Sequence, residues 1–173
     1  MRHADAHPFW DEENKIVLVH NGMIRNHKEF CDKSTVDSAA ITNALAKTDD
    51  IISILRKVQG AYVFVWYNTI EKKLYLVKND QRPLSVLETD SEFIISSEVL
   101  LSRWIITRNN SYTTTTKQID LKNLTLYSYD LMTKTWSEGE EYKTDIFTHT
   151  NREHHCVNAC RCVPEVFAES LAD

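Results

Sequence analysis

Seven consecutive residues, Ala61-Tyr62-Val63-Phe64-Val65-Trp66-Tyr67, are β-branched or aromatic at almost every position. A strand built from them has no face suited to water, so it belongs in a sheet covered on both sides. Every other element has to be arranged around that requirement.

The flanking segments supply covers of two kinds. Residues 16–19, Ile-Val-Leu-Val, read as a short buried strand ending in the turn dipeptide Asn21-Gly22. Asn26 with Glu29 three residues on fits a capping-box variant opening a short helix. Asp37 or Ser38 is placed to cap a second helix, with Ala40, Ile41, Ala44 and Leu45 on its apolar face. A third helix is predicted over 50–58, with Ile51, Ile52, Leu55 and Val58 inward and Gly60 just past its end.

Beyond the 61–67 strand, a turn over 68–72 leads to a second strand at 73–77. Residues 84–87 and 93–96 read as two further antiparallel strands. Ser97 then caps a helix containing Val99, Leu100, Trp104 and Ile105, and 124–129 with 134–136 form a late hairpin. Helices gathered between runs of antiparallel strands predict an α+β layered domain. Periodicity is lost from about Thr148, which sets a domain over 1–147 and a loosely ordered tail over 148–173.

Composition excludes several classes of function. With 173 residues, one domain is the default, and 42% hydrophobic with 26% charged residues is ordinary for a globular chain. The net charge is -5 and the basic residues are scattered, so no footprint for a phosphate backbone exists and no nucleic-acid partner is expected. No apolar stretch approaches the roughly 20 residues that span a bilayer, and residues 1–5 hold no signal-peptide core. A cytoplasmic protein without a membrane partner is the expectation.

A set of short motifs appears in a fixed order: Ala6-His7-Pro8, His20-Asn21-Gly22, Asp37-Ser38-Ala39, Gly60-Ala61-Tyr62, Arg82-Pro83-Leu84 and Ser97-Glu98. Each alone is weak; together, from Ala6 to about Leu101, they resemble the class II, N-terminal-nucleophile glutamine amidotransferase domain. The resemblance implies a four-layer αββα sandwich, glutamine as the small-molecule substrate, and no cofactor.

It also implies roles. In that family an N-terminal cysteine attacks the side-chain amide of glutamine, with its own α-amino group as base. The oxyanion that forms needs donors about 3 Å away. The resemblance assigns these to the Asn21 side chain and the Gly22 N–H, and it assigns Asp37 to the substrate's α-ammonium. On the residues alone, Asn21-Gly22 also fits an ordinary turn and Asp37 a plain helix cap. His7 and His20 are expected in positional or core roles, Arg82 in turn architecture, and Glu98 anchoring its helix.

One departure is large. The family's domain opens on the cysteine, several dozen residues before the Ala-His-Pro segment, and the arginine for the glutamine carboxylate lies in that interval. This chain begins Met1-Arg2-His3, and Cys31, expected mid-helix, cannot substitute. The expectation is a domain incomplete at its N-terminus and inactive as given, its partner being a synthase or the missing N-terminal fragment. Without that portion the apolar faces of the 61–67 and 73–77 strands should lose packing partners, and sheet edges should be exposed. A non-catalytic relative that binds a small amino acid or a protein is the alternative. His149, His154, His155, Cys156, Cys160 and Cys162 raise zinc as a third reading, but the Cys-x3-Cys-x-Cys spacing is irregular and no metal site is assigned.

Overall fold

The computed structural model describes residues 6–11, 13, 15–89, 92–109 and 117–145. In chain order the elements are β1 (Phe9–Trp10), β2 (Ile16–Ile24), α1 (His27–Phe30), α2 (Asp37–Ala46), α3 (Ile51–Lys57), β3 (Gly60–Asn68) and β4 (Lys73–Lys78). They continue with β5 (Ser85–Glu88), β6 (Phe93–Ser96), α4 (Val99–Asn109), β7 (Lys117–Ile119), β8 (Thr125–Asp130) and β9 (Thr135–Glu141).

The doubly apolar segment is β3, and it lies inside an antiparallel six-stranded sheet ordered β1-β2-β3-β4-β8-β9. On one face Tyr62, Phe64 and Trp66 pack with Ile41 and Leu45 of α2, Leu55 of α3, and Val58. On the other, Val65, Leu76 and Tyr127 meet Val86, Ile119 and Leu121 of a three-stranded sheet ordered β6-β5-β7 and its flanking loop. Helix α4 packs outside the small sheet. The layers therefore run helix, sheet, sheet, helix, an α+β sandwich. Each large side chain fully buried here contributes about 1.5–3 kcal/mol.

The faces of the 61–67 and 73–77 strands keep packing partners in the helical layer and the small sheet, and the expected exposed sheet edge is that of β2. β3 pairs with β2 over its whole length and with β4 over six residues. The bare apolar surface lies instead on β2, where Val19 and Met23 are 44% and 67% exposed. The small sheet covers β3, β4 and β8 but stops short of β2.

Local expectations fail where tertiary partners compete. Asn21-Gly22 is no turn: β2 runs through it to Ile24. Gly22 has φ +147°, and a Cβ there would lie 1.9 Å from the Ala61 carbonyl oxygen. Gly60 does not terminate α3 but opens β3 with φ +135°, its absent Cβ 2.1 Å from the Met23 oxygen. The two glycines let β2 and β3 approach where neither strand tolerates a side chain.

Asn26 is the N-cap of α1 and its amide reaches Glu29 Oε2 at 3.1 Å, but it caps no backbone N–H. The amide also donates to Lys57 O and its carbonyl accepts from Gln59 N, pinning the entry to β3. Asp37 is the first residue of α2 rather than its cap, which is Val36. Asp50 does cap α3, accepting from Ser53 N. Ser96, not Ser97, meets the start of α4, its Oγ accepting from Glu98 N, and Glu98 is exposed. Leu100, Trp104 and Ile105 of that helix face outward. Strands β1 and β7 were not anticipated, and the tail from 148, with its Cys and His residues, lies outside the described residues.

Candidate active site

The edge of β2 carries the candidate site. β1 pairs only with Val17 and Leu18, so beyond Leu18 the outer edge of β2 has no strand partner among the described residues. Thr69 N donates to Lys15 O and Arg25 N to Gln59 O, each at 2.8 Å. Antiparallel alternation then directs the backbone groups of odd-numbered β2 residues at β3 and those of even-numbered ones at the open edge. Ile24 obeys this rule, since its N–H is taken by Asp37 Oδ2 at 2.8 Å. The same alternation assigns the N–H of Gly22, two residues back along the strand, to this edge.

Asp37 is held from both sides. Its Oδ1 accepts from Ser38 N at 2.8 Å and from Ser38 Oγ at 3.3 Å, while Oδ2 takes the Ile24 amide. The side chain keeps 22% of its surface in solvent, leaving lone pairs toward the opening. Register sets the faces: His20 pairs with Phe64 on the side of α2, and Asn21 pairs with Val63 on the side of the small sheet. Gly22 and Asp37 thus share one edge, and the exposed Asn21 side chain stands beside it on the opposite face from α2.

Sequence reasoning missed the link between strand and helix. His20 Nδ1 lies in a 3.0 Å hydrogen bond with Ser38 Oγ and 3.9 Å from Asp37 Oδ1. Its side chain is 2% exposed, and Nε2 has no hydrogen-bond partner among the described residues. Burial holds the imidazole below its ordinary value of 6.5; the Asp37 carboxylate and the nearby Ala61 backbone oppose this, and His7 and Arg82 add to it. The available signal was the buried position of Ser38 on the apolar side of a helix start. His7 takes no core role: it is exposed, with its ring edge-on to Phe9.

A cleft of about 670 Å³ lies at the same end of the β2–β3 ladder, where Ile24 pairs with Gly60, and is lined by Arg25, Gly60, Tyr62, Asn79, Asp80 and Asp145 among others. Asn21, Gly22 and Asp37 are not part of its wall. Cys31 is a free thiol just past the end of α1 rather than within it. No group of three or more His, Cys, Asp or Glu suited to a metal occurs among the described residues. No helix there is long and apolar enough to cross a membrane.

Two facing antiparallel sheets between helical layers form the α+β sandwich of the N-terminal-nucleophile type of amidotransferase domain. The family model described as "Glutamine amidotransferase domain" matches residues 1–101, and the chain belongs to that family, in its class II form. Similar proteins include the glutamine–fructose-6-phosphate aminotransferase (isomerizing) of Aquifex aeolicus, 24% identical over 110 residues, 55% of this chain and 19% of that one. The Clostridium acetobutylicum enzyme of the same name is 29% identical over 108 residues, 53% of this chain and 18% of that one. The chain spans about a fifth of the length of these curated relatives.

Among solved structures, the glutamine phosphoribosylpyrophosphate amidotransferase of B. subtilis, complexed with ADP and GMP, superposes with a TM-score of 0.63 at 14% identity. It covers 82% of this chain and 33% of that one. A class-II glutamine aminotransferase domain protein from Silicibacter pomeroyi gives 0.54 at 13% identity, over 83% of this chain and 74% of that one. These likenesses establish the fold.

Proposed function

We propose that this domain, over residues 1–147, holds glutamine along the open edge of β2 for attack by an N-terminal cysteine. The thiolate adds to the side-chain carbonyl, ammonia leaves as the C–N bond breaks, and water then hydrolyses the thioester to glutamate. The Gly22 N–H and the Asn21 amide receive the oxyanion, and Asp37 receives the α-ammonium. The ammonia passes to a synthase partner.

One relationship carries this reading: strand alternation puts the Gly22 N–H on the same edge as the Asp37-bound Ile24 N–H, two residues along β2. Two residues of strand rise about 7 Å, the scale of an extended glutamine side chain. An oxyanion donor and an ammonium acceptor at that separation suit the two ends of one substrate.

The nucleophile is supplied by a cysteine-headed segment, in cis or as a separate fragment. A polypeptide of residues 1–173 alone should release glutamate from glutamine no faster than buffer. Joined to the cysteine-headed segment of a related class II domain, it should turn glutamine over. Cys31, the one cysteine among the described residues, sits past α1 and not on the β2 edge, which favours a second reading of a non-catalytic amino-acid-binding relative. A folded, glutamine-binding but inactive fusion would establish that alternative.

A further inference from the structure

Helix α4 lies with its more apolar side turned outward. Its buried positions are Ser102 and Ile106, one helical turn apart. Ser102 is small enough to approach the small sheet closely, where its hydroxyl meets that of Ser96 and donates to the Glu98 carbonyl. Holding the helix by that stripe drives Leu100, Leu101, Trp104 and Ile105 to the opposite side, where they are 80%, 50%, 55% and 36% exposed. Four large apolar side chains on adjacent turns form a contiguous patch, not the scattered exposure common on globular surfaces.

Charge decides what fits the patch. The carboxylate of Glu98 stands at the N-terminal end, and Arg108, whose guanidinium lies 4.9 Å from the Trp104 ring centre, stands at the C-terminal end. An apolar stripe with an anion at one end and a cation at the other complements a copy of itself turned end for end. In an antiparallel pair Leu101 meets Trp104, Leu100 meets Ile105, and each Glu98 comes near the other chain's Arg108. The opposed helix dipoles agree with that direction, whereas a parallel pair sets like charges together.

We propose that α4 is a two-fold, antiparallel contact surface for a second copy of this chain. The contact is isologous, so it closes at two copies and does not propagate. A helix pair of this size falls at the small end of specific interfaces, the range of weak and transient association, and the expected dissociation constant is on the order of micromolar.

Sedimentation equilibrium of the 173-residue chain over a concentration series tests the proposal. Its mass should rise from that of one chain to that of two through the micromolar range. Leu101→Asp and Trp104→Asp should each weaken association at least tenfold while circular dichroism and the melting curve stay unchanged. Glu98→Arg and Arg108→Glu should each weaken it several-fold, and their combination should restore it. A mass of one chain at every concentration up to about 1 mM would overturn the proposal. So would a dimer indifferent to Leu101→Asp, or one that the combined charge reversal fails to restore. None of these readouts depends on glutamine.

Discussion

Asp37 and Ile24 are joined by a 2.8 Å hydrogen bond from the strand amide to the helix carboxylate, which ties the start of α2 to the end of β2. The same carboxylate takes the Ser38 amide, so it has a structural role before any substrate arrives. Asp37→Ala removes the acceptor and leaves the Ile24 N–H short of a partner, at a cost of about 1–3 kcal/mol. Asp37→Asn keeps one of the two acceptor oxygens and sets an NH2 against the other backbone donor, so it should cost less than Asp37→Ala, about 1–2 kcal/mol, and remain folded in a urea titration. In an active fusion it should nonetheless raise KM for glutamine with little change in kcat, because the ammonium contact exists equally in ground and transition states. A glutamine analogue without the α-amino group should be largely insensitive to the change. An unaltered KM would confine Asp37 to its structural part.

Gly22 faces the tightest steric limit in the molecule's central ladder. A methyl group at that position meets the Ala61 carbonyl oxygen at 1.9 Å, on a backbone with φ +147°. Gly22→Ala should therefore destabilise the fold by at least about 3 kcal/mol, read from denaturant midpoints. A midpoint close to the parent's would show that β2 and β3 separate freely there.

His20 couples the fold to pH. Its folded value is depressed below 6.5, so on acidification the unfolded chain binds a proton before the native one does. The stability present above pH 6.5 should fall as the pH drops from there to the lower folded value, and then level off with respect to this group. Replacing His20 with Gln should flatten that window in a series of urea titrations. An NMR titration in which the His20 ring protonates at or above 6.5 would contradict the burial argument.

The layered fold was legible because its signals are local. The unbroken apolar run of β3 and the helical spacing of Ala40, Ile41 and Leu45 require only nearest neighbours along the chain. Asn21-Gly22 misleads because the dipeptide favours turns in isolation, while pairing with β3 through Ile24 keeps it extended. Asp37 was legible as a helix-start carboxylate, but its partner Ile24 lies 13 residues away and no spacing rule connects them. The apolar stripe of α4 was also visible, yet periodicity names a face without saying where it points. The small Ser102 and its contact with Ser96 decide that, and both are tertiary facts.

Asn21 offers the most direct test of the site. Its side chain is exposed and carries none of the packing that Gly22 and Asp37 support, so Asn21→Ala should leave the unfolding midpoint nearly unmoved. In a fusion bearing a cysteine-headed N-terminal segment, the decisive measurement is the kcat for glutamate release with and without this change. Loss of one oxyanion donor should lower kcat about 100- to 1000-fold with KM nearly constant. Equal kcat in the two proteins would contradict the assignment of the β2 edge as the place where the oxyanion forms.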